Sequence, residues 1–154
     1  MPLLGEEDTQ YLRESFAELR SDVDVTVVAR ERSRLVLPGA AEDEGGDASA
    51  EVKQIVDEVA ATSPRIKVTH VDAAADAERA RTLAGEHLPA IVFGGAAAKG
   101  TLRYFGLPAG YEMSTLIATL MDLGSGEPMV PTEIGAELDK LTAPVHIQVF
   151  VTPG

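Results

Sequence analysis

Residues 87–112, HLPAIVFGGAAAKGTLRYFGLPAGYE, constrain this chain more than any other stretch. Two apolar runs, AIVFGG (90–95) and TLRYFGLP (101–108), flank a Gly/Ala/Lys turn, and an amphipathic run with Met113, Leu116, Ile117, Leu120 and Met121 follows at helical spacing. The pattern predicts strand, tight turn, antiparallel strand and a closing helix. Pro89 stands directly before the first run. Proline cannot donate to a ladder, so it marks a strand entrance here. Only an X-Pro bond is cheaply cis, and a cis Leu88-Pro89 bond is expected. The turn GGAAAKGT does not read as a phosphate loop, because Lys99 precedes Gly100 and a strand follows rather than a helix.

The rest of the chain supplies further elements of the same kind. Apolar positions Tyr11, Leu12, Phe16 and Leu19 predict a helix over 6–20, with acids in its first turn where the dipole favours them. VDVTVVAR (23–30) alternates and is β-branched, a strand with a buried second half. After it comes a long loop to Ser49 with Arg30, Arg32 and Arg34 at its start and an acidic cluster of Glu42, Asp43, Glu44 and Asp47. These acids lack the spacing of a calcium loop, and no metal is expected there. A helix over 50–61 follows, with Val52, Ile55, Val56 and Val59 on one face and Ser49 as N-cap. RIKVTHVD (65–72) reads as a strand, and 74–85 as a short helix ended by Gly85. His70 reads as a strand residue with an ordinary hydrogen bond, since no serine, cysteine or second histidine lies near it in sequence.

LPAIVFGG and LRYFGLPAGYE resemble the N-terminal unit of protein disulfide oxidoreductases built from two thioredoxin folds, in the glutaredoxin-like branch of the thioredoxin superfamily. More distantly they are similar to the N-terminal domain of the flavoprotein subunit of alkyl hydroperoxide reductase. The resemblance implies a thioredoxin-like α/β fold, a central mixed β-sheet flanked by helices. It implies a peptide-binding face at Leu88, Pro89 and Ala90, and thiol-disulfide exchange at a Cys-x-x-Cys. That motif is missing, because the 154 residues contain no cysteine. A thioredoxin-type site needs a thiolate at a helix N-terminus, where dipole and free amides lower its pKa. The expected activity of this chain alone is therefore none, with no catalytic residue, no cofactor and no metal.

Residues 131–151 repeat the opening of the chain. Setting Val145 on Val23 aligns VHIQVFV with VDVTVVA and drops Ile134, Leu138 and Leu141 on Leu12, Phe16 and Leu19, an offset of 122 residues. The division expected is a thioredoxin-like domain over 1–124 and, over 125–154, a linker, a helix and the first strand of a second, truncated unit. In the family, the equivalent strand runs straight into the catalytic motif. The alternative is a terminal extension packing an added strand on the first sheet.

Function follows as two expectations. One is a redox-inactive unit that supports, or presents substrate to, a catalytic Cys-x-x-Cys unit; the other is a freestanding adaptor binding a protein or peptide. An unrelated enzyme built on His70, His87 or the acidic loop ranks third. A net charge of −12, from 25 acidic and 13 basic residues, argues against nucleic acid or an anionic membrane as partner. The start of the chain carries Glu6, Glu7 and Asp8 instead of an apolar leader, and no run approaches the roughly 20 apolar residues of a span. A cytoplasmic setting is expected. Homo-oligomerisation through the C-terminal strand stays open.

Overall fold

The computed structural model describes residues 1–31, 45–127 and 130–151. Among these residues nine elements follow in order: α1 (Glu6–Phe16), β1 (Val23–Ala29), α2 (Gly45–Ala60), β2 (Ile66–Asp72), α3 (Ala77–Ala84), β3 (Ala90–Gly95), β4 (Leu102–Phe105), α4 (Glu112–Ser125) and α5 (Thr132–Leu138).

β1 is the organising strand because its sequence is apolar on both faces. Val23, Val25, Val27 and Ala29 point one way and Val28 the other, and all five are buried. Such a strand needs neighbours on both edges and layers on both faces. The sheet order β2-β1-β3-β4 provides the edges. β2 lies parallel to β1 in the register Val23↔Ile66 through Ala29↔Asp72, joined through the crossover helix α2. β3 lies antiparallel on the other edge, from Val23↔Gly95 to Val28↔Ala90, and β4 pairs antiparallel with β3.

One face is covered by Leu12 and Phe16 of α1, by Leu19, by Val52, Ile55, Val56 and Val59 of α2, and by Leu116 and Leu120 of α4. The other carries a smaller cluster in which Ala80 and Ala84 of α3 meet Val28, Val71, Ala90 and Val92. The alanines let α3 lie close, and Gly85 ends it at positive φ. The mixed sheet with helices on both faces is the architecture expected from the sequence.

Several boundaries differ from the periodicity reading. α1 stops at Phe16, and residues 17–18 close in tighter turns before Leu19 drops back into the core. α2 begins at Gly45, so Ser49 lies inside the helix and is not its N-cap. Glycines there weaken the helical signal, yet adding residues to a helix already docked through its valine face costs little. The expected loop is helical over 45–49, and its residues 32–44, with Arg32, Arg34, Glu42, Asp43 and Glu44, lie outside the described residues. β4 is only four residues long, because Gly106 takes positive φ and Pro108 follows.

The largest departure is the C-terminal strand. α5 forms where expected, but 145–151 joins no ladder, and Val145, Ile147, Val149, Phe150 and Val151 are all exposed. A strand exists only through partners for its amides and carbonyls. β1 has β2 and β3, whereas its echo finds neither among the described residues.

The acidic surface has a consequence for stability. With 25 carboxylates against 13 cationic side chains, compaction gathers like charge that salt screens over about 3 Å at 1 M and about 30 Å at 0.01 M. Raising KCl from about 0.01 to 1 M is expected to lift Tm by about 3 °C, worth roughly 1 kcal/mol for a chain of this size. Thermal unfolding followed by circular dichroism checks it, and a flat or falling Tm would refute it.

Candidate functional site

The register Val28↔Ala90 carries Leu88 and Pro89 to the C-terminal end of β1, where the chain leaves the sheet toward α2. The Leu88-Pro89 peptide bond is cis. Pro89 and Ala90 are buried, and Leu88 is half-buried against the small α3 cluster. The carbonyl of Pro89 accepts the Gly106 amide at 3.0 Å, which continues the β3-β4 ladder past Phe105. Of the three residues expected at a peptide-binding face, only Leu88 thus has a partly open side chain.

Around them the exposed groups come from neighbouring positions, of which sequence reading singled out only His87, and that as an enzymatic candidate. His87 packs edge-on against Phe105, ring centroids 5.6 Å apart and planes at 72°. Arg103 on β4 donates through its guanidinium to the carbonyls of Leu83 and Thr82, where it helps satisfy the C-terminal turn of α3. Tyr104, on the opposite face, donates its hydroxyl to Glu112 at 3.4 Å. Burial and the neighbouring Glu112 carboxylate push the Tyr104 phenol up. The signal for these residues was the period of two along β4, which sets Arg103 and Phe105 on one face and Tyr104 on the other.

At the end of β1 a second group of charges gathers. The Asp72 carboxylate accepts the amides of Ala74 at 2.9 Å and Glu31 at 3.2 Å, which ties the ends of β1 and β2 together. Those amide bonds, Ala74 first, hold its carboxyl below the ordinary aspartate value. Lys53 of α2 reaches Glu31 at 2.9 Å. The described residues at this end of β1 thus offer carboxylates, a lysine and Arg30. None of these forms a mixed disulfide.

His70 lies elsewhere on the sheet, with Nε2 2.9 Å from Asp57 Oδ1 on α2. That pair bridges β2 to its crossover helix and stands on a different element from His87. Among the described residues no group of three or more His, Asp or Glu side chains converges as a metal site would, and no helix is long and apolar enough to cross a membrane. The structure therefore brings together a hairpin edge, a proline-led strand entrance and a His-Phe contact.

No family model matches the chain, and no curated protein does. Solved structures do. The NTD_N/C domain of the alkylhydroperoxide reductase AhpF of Enterococcus faecalis superposes with a TM-score of 0.68 at 20% identity, over 88% of this chain and 59% of that one. A second AhpF structure from the same organism gives 0.67 at 19% identity, over 90% and 61%. A protein disulfide oxidoreductase of Aeropyrum pernix gives 0.70 at 21% identity, over 89% and 55%. The chain thus spans less than two thirds of each of these structures. The likeness establishes a thioredoxin-like fold, in agreement with the resemblance seen in LPAIVFGG and LRYFGLPAGYE.

Proposed function

We propose that this chain is a redox-silent thioredoxin-like unit of a disulfide oxidoreductase, acting beside a catalytic Cys-x-x-Cys unit to which it gives support or presents substrate. The observation that carries the reading is a disulfide-exchange fold with no cysteine in 154 residues. Without a thiolate the fold keeps a strand entrance and a hairpin edge but has no group to attack a disulfide sulfur. Leu88, Pro89 and Ala90 mark the substrate-facing end in this reading, with the backbone at Leu88 the part an extended peptide would reach.

The same reading divides the chain into the unit over 1–124 and, over 125–154, a linker, α5 and a strand belonging to a second sheet. The support is the 122-residue echo together with the exposure of every apolar residue of VHIQVFV. β1 shows what such a sequence requires: a parallel neighbour, an antiparallel neighbour and cover on both faces. A second thioredoxin-like unit supplies all four.

The test is the intact mass of the protein isolated from its source, before and after reduction and alkylation. A mass above that of the 154 residues, rising by alkyl groups after reduction, is expected. A mass equal to the 154 residues with no alkylation would overturn the reading and leave the adaptor, for which the exposed His87-Phe105 contact beside the strand entrance is the supporting observation.

A further inference from the structure

The acidic residues avoid one part of this molecule. From His87 to Tyr111, 25 consecutive residues contain no Asp or Glu, although the chain has 25 acids in 154 positions. The stretch holds Lys99 and Arg103 and so carries +2, while the other 129 residues carry 11 − 25 = −14. It coincides with β3, β4 and their turn.

β4 is also an open edge of the sheet. Because Gly106 bonds Pro89, the hydrogen-bonded positions on β4 are those of its parity, Leu102 and Tyr104. The amides and carbonyls of Arg103 and Phe105 consequently face away from β3. Native edges are commonly blunted by a cation projecting over them. Here the Arg103 guanidinium is folded back onto the Thr82 and Leu83 carbonyls, and among the described residues the ladder is left uncovered. Leu102 and Phe105 flank it, exposed at 46% and 45%.

From these observations we infer that the β4 edge is a strand-addition site for an extended peptide segment that bears carboxylates between apolar residues. Main-chain bonds to Arg103 and Phe105 provide the pairing, with the peptide's apolar side chains on the Leu102 face and its carboxylates on the Arg103 face. Charge selects the partner: the −14 of the remaining surface repels an acidic segment everywhere else, and the +2 hairpin admits it. Basic segments are held over the rest of the surface with no such preference for the edge. The inference names a substrate class for the silent unit and in that use rests on the reading above. The binding step needs no catalytic unit, so its failure is separable from a failure of that reading.

The experiment uses the whole chain and three fluorescent ten-residue peptides: alternating Val and Glu, alternating Val and Lys, and the Val/Glu peptide N-methylated at alternate residues. Anisotropy at about 0.15 M salt, where screening over about 8 Å leaves the hairpin's own charge to act on a bound peptide, is expected to show the Val/Glu peptide binding at least tenfold tighter than the Val/Lys peptide. N-methylation should abolish binding, and a Lys99→Gln, Arg103→Gln double variant with an unchanged circular dichroism spectrum should erase the preference. Equal affinity for the two charge patterns, no binding of either, or survival of binding after N-methylation each overturns the site. So does sedimentation showing that a second copy fills the edge through its 145–151 segment, seen as a dimer that a Val149→Asp variant dissociates.

Discussion

Truncation of Phe16 to alanine is expected to cost about 3–5 kcal/mol of folding free energy, a large share of the 5–15 kcal/mol typical of a domain. Phe16 is 2% exposed and belongs, with Leu12 and Leu19, to the larger of the two cores. The cavity left behind cannot collapse, because its walls are helices already seated on β1. Its echo partner Leu138 is 51% exposed on α5, so Leu138→Ala in this chain should fall within about 0.5 kcal/mol of the parent. Urea unfolding of the two variants measures both, as shifts in midpoint at unchanged slope. The pair also bears on the domain division. If α5 belongs to a second unit, the same Leu138→Ala change in a chain that carries that unit should cost several-fold more than here. Equal, negligible costs in both settings would sink the idea that the echo is structural, and a large cost in this chain alone would place α5 on the first core.

How much of this could be read from the amino acids depended on where a residue's partners lie. β1, β2 and β3 were legible because their burial comes from their own composition: a run such as VDVTVV or AIVF has few other places to be. The turn between β3 and β4 and the stop of α3 at Gly85 were legible from glycine. α2 was misjudged at its start since Gly45 and Gly46 argue locally against a helix, and the docking energy that overrides them comes from Val52 to Val59 further on. The C-terminal segment stands apart for a different reason. Its sequence meets every local condition for β1, but strand formation depends on neighbours, and alternation alone cannot report whether they are present. At the site, Pro89 was conspicuous and proved buried. The exposed residues His87, Arg103 and Phe105 were less visible, because their meaning comes from the β3-β4 register and from which side of a four-residue edge each one takes. The acid-free window was in plain sight in the sequence, yet it carries weight only once β4 is known to be an open edge.

The second large effect is expected at Gly95, where β3 ends and the turn to β4 begins. Its φ is +124°, a region that side chains with a Cβ rarely occupy, and a Cβ built there would lie 2.7 Å from the Asp22 carbonyl oxygen and 3.4 Å from Val23 Cα. Both neighbours are backbone, so no rotamer change relieves the contact. The backbone conformation alone costs about 1–3 kcal/mol for a non-glycine residue, and the clash adds to it. Gly95→Ala should therefore destabilise by about 3 kcal/mol or more by urea midpoint. Gly94 is the matched control: a Cβ there meets Asp24 Cβ at 3.8 Å, an ordinary contact, at a φ outside the positive range, and Gly94→Ala should be near neutral. If the two alanine variants unfold together, the close approach of Gly95 to β1 is not what sets this corner. If they separate as expected, the effect reaches the site, because the register Val23↔Gly95 is the far end of the ladder that delivers Ala90 to Val28 and Pro89 beyond it. A variant that relieves the clash by lifting Gly95 off β1 would loosen the turn and with it the edge of β4. The peptide affinity of Gly95→Ala should then fall more steeply than that of Gly94→Ala, at temperatures where both variants remain folded.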